Sequence, residues 1–201
     1  MIHEGGIESH TPAARRLAAL LALALLASLA VGLGIAGPGA APALAGTTCA
    51  NADAGIGDAK AKQLARAVKC LINEDRFERN KRRVRANGML RTAAAKHNRA
   101  MLQGNCWSHK CPGEPALGKR IRQTGYLDGA REWRFGELFG CHTTPQEMVD
   151  RWLSKQFGRK QIRRPSYRDI GVAAKKQQVE ASNCDDGDEV TYTIVLAYRV
   201  P

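Results

Sequence analysis

Acidic residues are scarce in this chain of 201 residues: 19 aspartates and glutamates stand against 31 lysines and arginines, giving a formal net charge of +12. Such a field excludes a strongly cationic partner and draws the protein toward anionic surfaces, an acidic polymer or anionic lipid. Aromatic residues make up only 5%, which leaves few rings for stacking bases and argues against a nucleic-acid partner. No C-x-x-C pair occurs, so the commonest zinc-site spacing is missing. No segment repeats at a solenoid period. No cysteine precedes Cys49, and charge is absent altogether from Leu17 to Ala36, where leucine and alanine dominate.

That last absence sets the domain organisation. Arg15 and Arg16 flank the uncharged run on its N-terminal side, and Ala43-Leu44-Ala45 closes the Pro/Gly/Ala stretch beyond it with a small-x-small pattern that suits signal peptidase. We expect a signal peptide over residues 1–45 with cleavage after Ala45, a short N-terminal segment over 46–57, and one domain over 58–201. An uncleaved anchor is the alternative, since about twenty apolar residues also span a bilayer. Positive charge ahead of the run keeps the N-terminus inside in both cases. The domain is therefore expected to be secreted, extracellular or held in the cell envelope. Glu4, Glu8, Arg15 and Arg16 cancel within the removed segment, so the exported part keeps the whole positive balance.

Six cysteines remain after the cleavage point: Cys49, Cys70, Cys106, Cys111, Cys141 and Cys184. An even count behind a secretory signal reads as a disulfide framework. Sequence leaves the connectivity open among many pairings. We expect Cys49–Cys70 first, because Cys49 lies just upstream of the segment bearing Cys70. Cys106–Cys111 would clamp one short loop, and Cys141–Cys184 is what remains.

Along the exported part, Leu64, Val68, Leu71 and Ile72 fall on one face of a helix expected from Asp58 to about Asn80. The basic connector Lys81–Gly88 ends it. A second helix, from about Met89 to Leu102, carries Leu90, Ala94, His97 and Met101 on one face; His97 there is expected to be a packed core residue. A turn-rich loop over 104–113 and a short helix over about 114–123 follow. The segment 132–141 alternates poorly and is expected to be a loop or a short extended piece. Thr144-Pro145-Gln146-Glu147 is a helix start with a capping box, and Met148, Val149, Trp152 and Leu153 should face inward. Residues 167–174 and 191–199 have strand character and are expected to pair antiparallel. Helices first and strands last imply an α+β domain with helices packed on an antiparallel sheet.

Four pieces of this sequence, in order, resemble the CAP superfamily of cysteine-rich secretory, antigen 5 and pathogenesis-related proteins, and in particular its bacterial SCP-like extracellular domains. Leu71-Ile72-Asn73-Glu74-Asp75-Arg76 resembles the first-helix motif. Ser108-His109 and Gly136-Glu137-Leu138 resemble the motifs that supply a cavity histidine and a cavity glutamate. Trp152, Pro165, Tyr167 and Asp169-Ile170-Gly171-Val172 resemble the closing motif, and the match runs over roughly residues 64 to 199. The resemblance implies a disulfide-stapled α-β-α sandwich and a cavity lined by a His-Glu-Glu-His tetrad. Here the tetrad is incomplete: Gly158 stands at the position of the second histidine, and Lys155 at that of the second glutamate.

His109 and Glu137 are thus the cavity residues, and they are expected to hydrogen-bond each other and the nearby backbone. Zinc at a catalytic site takes three protein ligands, and His142 is the candidate third. We expect no bound metal and no cofactor, and a gain of zinc affinity on Gly158→His. The expected function is that of a secreted, monomeric binding protein for an anionic cell-envelope polymer, a lipid or another protein. The alternative is an extracellular metal-dependent hydrolase or peptidase using His109, Glu137 and His142.

Overall fold

The computed structural model describes residues 49–182, 184 and 189–201; the expected signal peptide lies outside them. Among the described residues no helix is long and apolar enough to cross a membrane.

The first helix, α1 (Ala61–Glu78), buries Leu64, Val68, Leu71 and Ile72 along one stripe. It ends where Asn80 takes a left-handed φ of 54° and the Lys81 amide reaches back to the Arg76 carbonyl at 2.7 Å, a closure that satisfies carbonyls the helix would leave open. The basic connector then forms a two-residue strand, β1 (Arg85–Ala86). Asn87 caps the second helix, α2 (Gly88–Gln103), its Oδ1 accepting from Met89 N at 2.9 Å and Leu90 N at 3.1 Å. After a loop come the short α3 (Leu117–Arg122) and the long strand β2 (Glu132–His142). Thr144 and Glu147 form the expected capping box at the start of α4 (Pro145–Ser154), and α5 (Gln156–Ile162) follows directly. Strands β3 (Asp169–Lys175) and β4 (Val190–Val200) complete the order.

The sheet runs β1-β3-β4-β2. β3 and β4 pair antiparallel from Asp169↔Ala197 to Lys175↔Thr191, and β2 pairs antiparallel with β4 from Glu132↔Val200 to His142↔Val190. β1 lies parallel to the start of β3, so the sheet is mixed at that edge and antiparallel elsewhere. Segment 132–141 is therefore a full strand and not the loop or short piece its pattern suggested. The reason is physical: from Gly136 to Leu138 the strand is buried on both faces, and such a strand shows no apolar–polar alternation.

Helices α1 and α4 cover one face of the sheet, where Leu64, Val68, Met148 and Trp152 meet Ile170, Val172, Ile194 and Leu196. Helix α2 covers the other, with Leu90, Ala93 and Ala94 against Ala173, Val195 and Ala197. The three layers form an α-β-α sandwich. Its closest approach is at Gly171, where an added Cβ would lie 2.1 Å from the backbone of Leu90 and Arg91; the first turn of α2 rests directly on β3. Arg76, fully buried, pins a corner by donating to the carbonyls of Arg82, Ile162, Arg164 and Tyr167.

Three disulfides staple this frame. Cys49–Cys70 holds the N-terminal segment to α1, Cys106–Cys111 closes the loop after α2, and Cys141–Cys184 ties the end of β2 to the β3–β4 connection.

Candidate functional site

Glu137 sits midway along β2 on the α2 side of the sheet, between Phe135 and Phe139 in the strand's period of two. Its carboxylate is buried and accepts from His109 Nδ1 at 3.0 Å. His109 comes from the loop closed by Cys106–Cys111; its side chain is 57% exposed and meets the Phe139 ring edge-on, with centroids 4.7 Å apart. The pair is the one expected from sequence, and three further residues surround it that sequence did not single out as a group.

The chief of these is Arg120 on α3. Fully buried, it donates to Glu137 Oε2 at 2.8 Å and Oε1 at 3.1 Å, to the His109 carbonyl at 3.0 Å and to the Pro115 carbonyl at 3.2 Å. Glu114 lies 3.3 Å from Arg120 Nε and accepts from His97 Nδ1 at 2.9 Å. His97, on the inner face of α2 and fully buried, is a core residue as its position implied, but a polar one. Its Nε2 has no hydrogen-bond partner and lies 3.6 Å from Glu137 Oε1. Burial pushes the His97 imidazole below its ordinary range and the Arg120 charge adds to that, against the opposing pull of Glu137 and Glu114. Burial alone would raise the Glu137 carboxyl, yet hydrogen bonds from His109 and Arg120 and the nearby positive charge hold it below its ordinary range. The result is an anion locked by a protein cation.

The remaining expectations for the cavity are corrected. His142 is not a third ligand. It lies five residues beyond Glu137 on the same strand, an odd separation that puts the two on opposite faces, about 17 Å apart along the strand. Its Nδ1 faces Glu147 Oε2 at 3.0 Å, at the start of α4. Gly158 does not open toward the cavity either: an added Cβ there would lie 2.1 Å from the Trp152 carbonyl oxygen. A histidine at this position strikes the end of α4, so Gly158→His offers no route to a metal site. Lys155 is an exposed residue between α4 and α5.

The donor set does not fit a zinc ion. Both Glu137 oxygens are engaged by Arg120, whose full positive charge repels a divalent cation at contact distance. Among the described residues, the sets of three potential ligand atoms within 4.8 Å of one another are Cys49, Cys70 and Glu74, and Cys141, Cys184 and Glu189. Each rests on a disulfide, whose sulfurs are not thiolate ligands.

A second feature lies at the β1 edge of the sheet. Between α1 and α2 runs a groove of about 950 Å³, floored by Ile170, Val172, Ala173 and Ala174. Lys62, Arg66 and Lys69 wall it on α1, Arg91, Lys96 and Arg99 wall it on α2, and no acidic residue lines it. Like charges three and four residues apart weaken a helix slightly, and both helices bear that cost facing each other. Sequence pattern could not show this, because only the fold brings the two cationic faces across one strand.

These features define a class: a disulfide-stapled α-β-α sandwich with a histidine–glutamate pair held between a loop and the central sheet. The family model described as the cysteine-rich secretory protein family (CAP) matches residues 70–198, and the chain belongs to that family. Among solved structures it is similar to an outer surface protein from Borrelia burgdorferi, at 14% identity and a TM-score of 0.58, covering 71% of this chain and 97% of that one. It is also similar to an extracellular protein containing a SCP domain from Bacillus anthracis, at 18% identity and a TM-score of 0.53, covering 70% of this chain and 44% of that one. These likenesses speak to the fold alone. No curated protein matches the sequence.

Proposed function

We propose that this is an exported CAP-domain protein that acts by binding an anionic partner at the cell surface. The observation that carries the reading is the groove between α1 and α2, with six cations in its walls and no acid. Export is supported by the uncharged run from Leu17 to Ala36 behind Arg15 and Arg16, the three disulfides and the extracellular settings named for two structural neighbours. The cavity supports binding over hydrolysis. Glu137 holds no free oxygen to act as a base, since Arg120 and His109 occupy both, and a general base must reach the proton it takes. His142, on which the metal-dependent hydrolase reading leaned, is engaged elsewhere.

The test is retention of the purified protein on cell-envelope fractions across a salt series. Because the Debye length falls from about 10 Å at 0.1 M to about 3 Å at 1 M, retention should drop steeply, and Arg66→Glu with Arg91→Glu should abolish it at low salt. Retention that ignores both salt and charge reversal would remove this reading.

A further inference from the structure

β3 is an edge strand for most of its length. β1 pairs with it only at Asp169 and Ile170, after which the chain leaves the sheet into α2. The Arg168 and Ile170 carbonyls face that edge, accepting from Arg85 N at 2.8 Å and Asn87 N at 2.9 Å. The period of two along a strand then turns the backbone N–H and C=O of Val172 and Ala174 the same way. Among the described residues no turn, loop or cap hydrogen bond takes them up. The groove lining confirms that the strand is seen edge-on: it includes Ile170, Val172 and Ala174, whose side chains face α1, together with Ala173, whose side chain faces α2.

An unpaired edge is a template for another strand, and soluble proteins usually blunt it with a proline, a bulge or a covering element. Here no described residue pairs with it beyond Ile170, and it floors a groove whose two walls are cationic. An added strand would send its side chains alternately toward α1 and toward α2, and each side meets lysine and arginine. We propose that the groove takes an extended acidic peptide segment, which adds to β3 alongside Val172–Lys175 in continuation of β1. The backbone edge supplies affinity and the walls select acidic side chains, the division of labour usual in strand addition. An acyl lipid would leave the N–H and C=O groups of Val172 and Ala174 unpaired, a cost in a site the lipid itself dehydrates. The proposal rests on the cationic groove being the binding site and names its occupant.

The probe is a fluorescent peptide repeating Glu-Glu-Val-Val, which places glutamate on both faces of a strand, titrated by anisotropy against the purified protein. Its comparators are the same peptide N-methylated at alternate residues, which keeps the charge and loses one row of donors, and anionic phosphatidylglycerol vesicles. The acidic peptide should bind, and N-methylation on the β3-facing side should weaken it at least about tenfold, the loss expected from one or more hydrogen bonds. Ala174→Pro removes an outward N–H at an edge position where proline is tolerated, and it should weaken the unmodified peptide to a similar degree. If that variant fails to fold, the N-methylated peptide still decides. Equal binding of the two peptides would overturn strand addition while leaving an anion-binding groove in place, as would vesicle binding without peptide binding. Absence of binding to every anionic probe would overturn the groove itself.

Discussion

Arg120 is one basic residue among many, and nothing in its spacing separates it from a surface cation. In the fold it is the counter-ion of a buried carboxylate. Removing one member of a buried ion pair leaves the other uncompensated and costs about 3–5 kcal/mol. Arg120→Met should therefore lower stability by about that much in urea unfolding, and adding Glu137→Gln should recover part of the loss, because the stranded charge goes with it. If Arg120→Met proved neutral, the lock would be incidental. His97 gives the cluster a pH signature. Its folded pKa is depressed from the ordinary 6.5, so the unfolded chain binds more protons below that pH and stability falls as pH drops, at up to about 1.4 kcal/mol per pH unit. Glu137 acts in the same sense in a lower window, since its folded pKa is also depressed: its contribution is present above its ordinary value and is lost as pH falls through the folded one. Unfolding midpoints should thus be flat above neutrality and decline below about pH 6.5. His97→Gln, which keeps a donor for Glu114, should flatten the first part of that decline. A wild-type profile that is flat down to pH 5 would contradict the assignment.

At the level of elements, what the sequence disclosed follows from how each element is buried. α1 and α2 were legible because each buries one stripe, and residues at helical spacing reveal a stripe. α4 was legible through Thr144, Pro145 and Glu147, whose chemistry is local. β2 was not, because Gly136, Glu137 and Leu138 are buried on both sides and alternation vanishes. The His109–Glu137 pair came through resemblance of short motifs, but Glu114 and Arg120 belong to a loop and a six-residue helix, too short to carry a period. Gly158 shows the limit of counting along a chain: its residue offset suggested a vacated histidine position, whereas the α4–α5 junction requires a glycine. Inserting atoms into a packed junction costs about 1–3 kcal/mol. Gly158→His should therefore lower the thermal midpoint and leave zinc affinity unchanged, checked by calorimetry with and without zinc; a zinc-stabilised variant would show that the junction yields and the cavity is open.

For the whole molecule, the charge surplus visible in composition becomes a localised groove only through topology, which sets the cationic faces of α1 and α2 on either side of β3. The same topology makes β4 the axis of the sheet. β2 and β3 pair with β4 and not with each other, and Val190 to Ala197 is buried without interruption. The strand on which every long pairing depends is the last of the four in chain order. Until it emerges, the preceding chain holds helices with no complete sheet to cover, and its sequence-distant contacts are unmet, the condition that slows folding. Under the export proposed above, that order would keep the chain open until β4 had crossed the membrane, because β2 and β3 have no common partner before it.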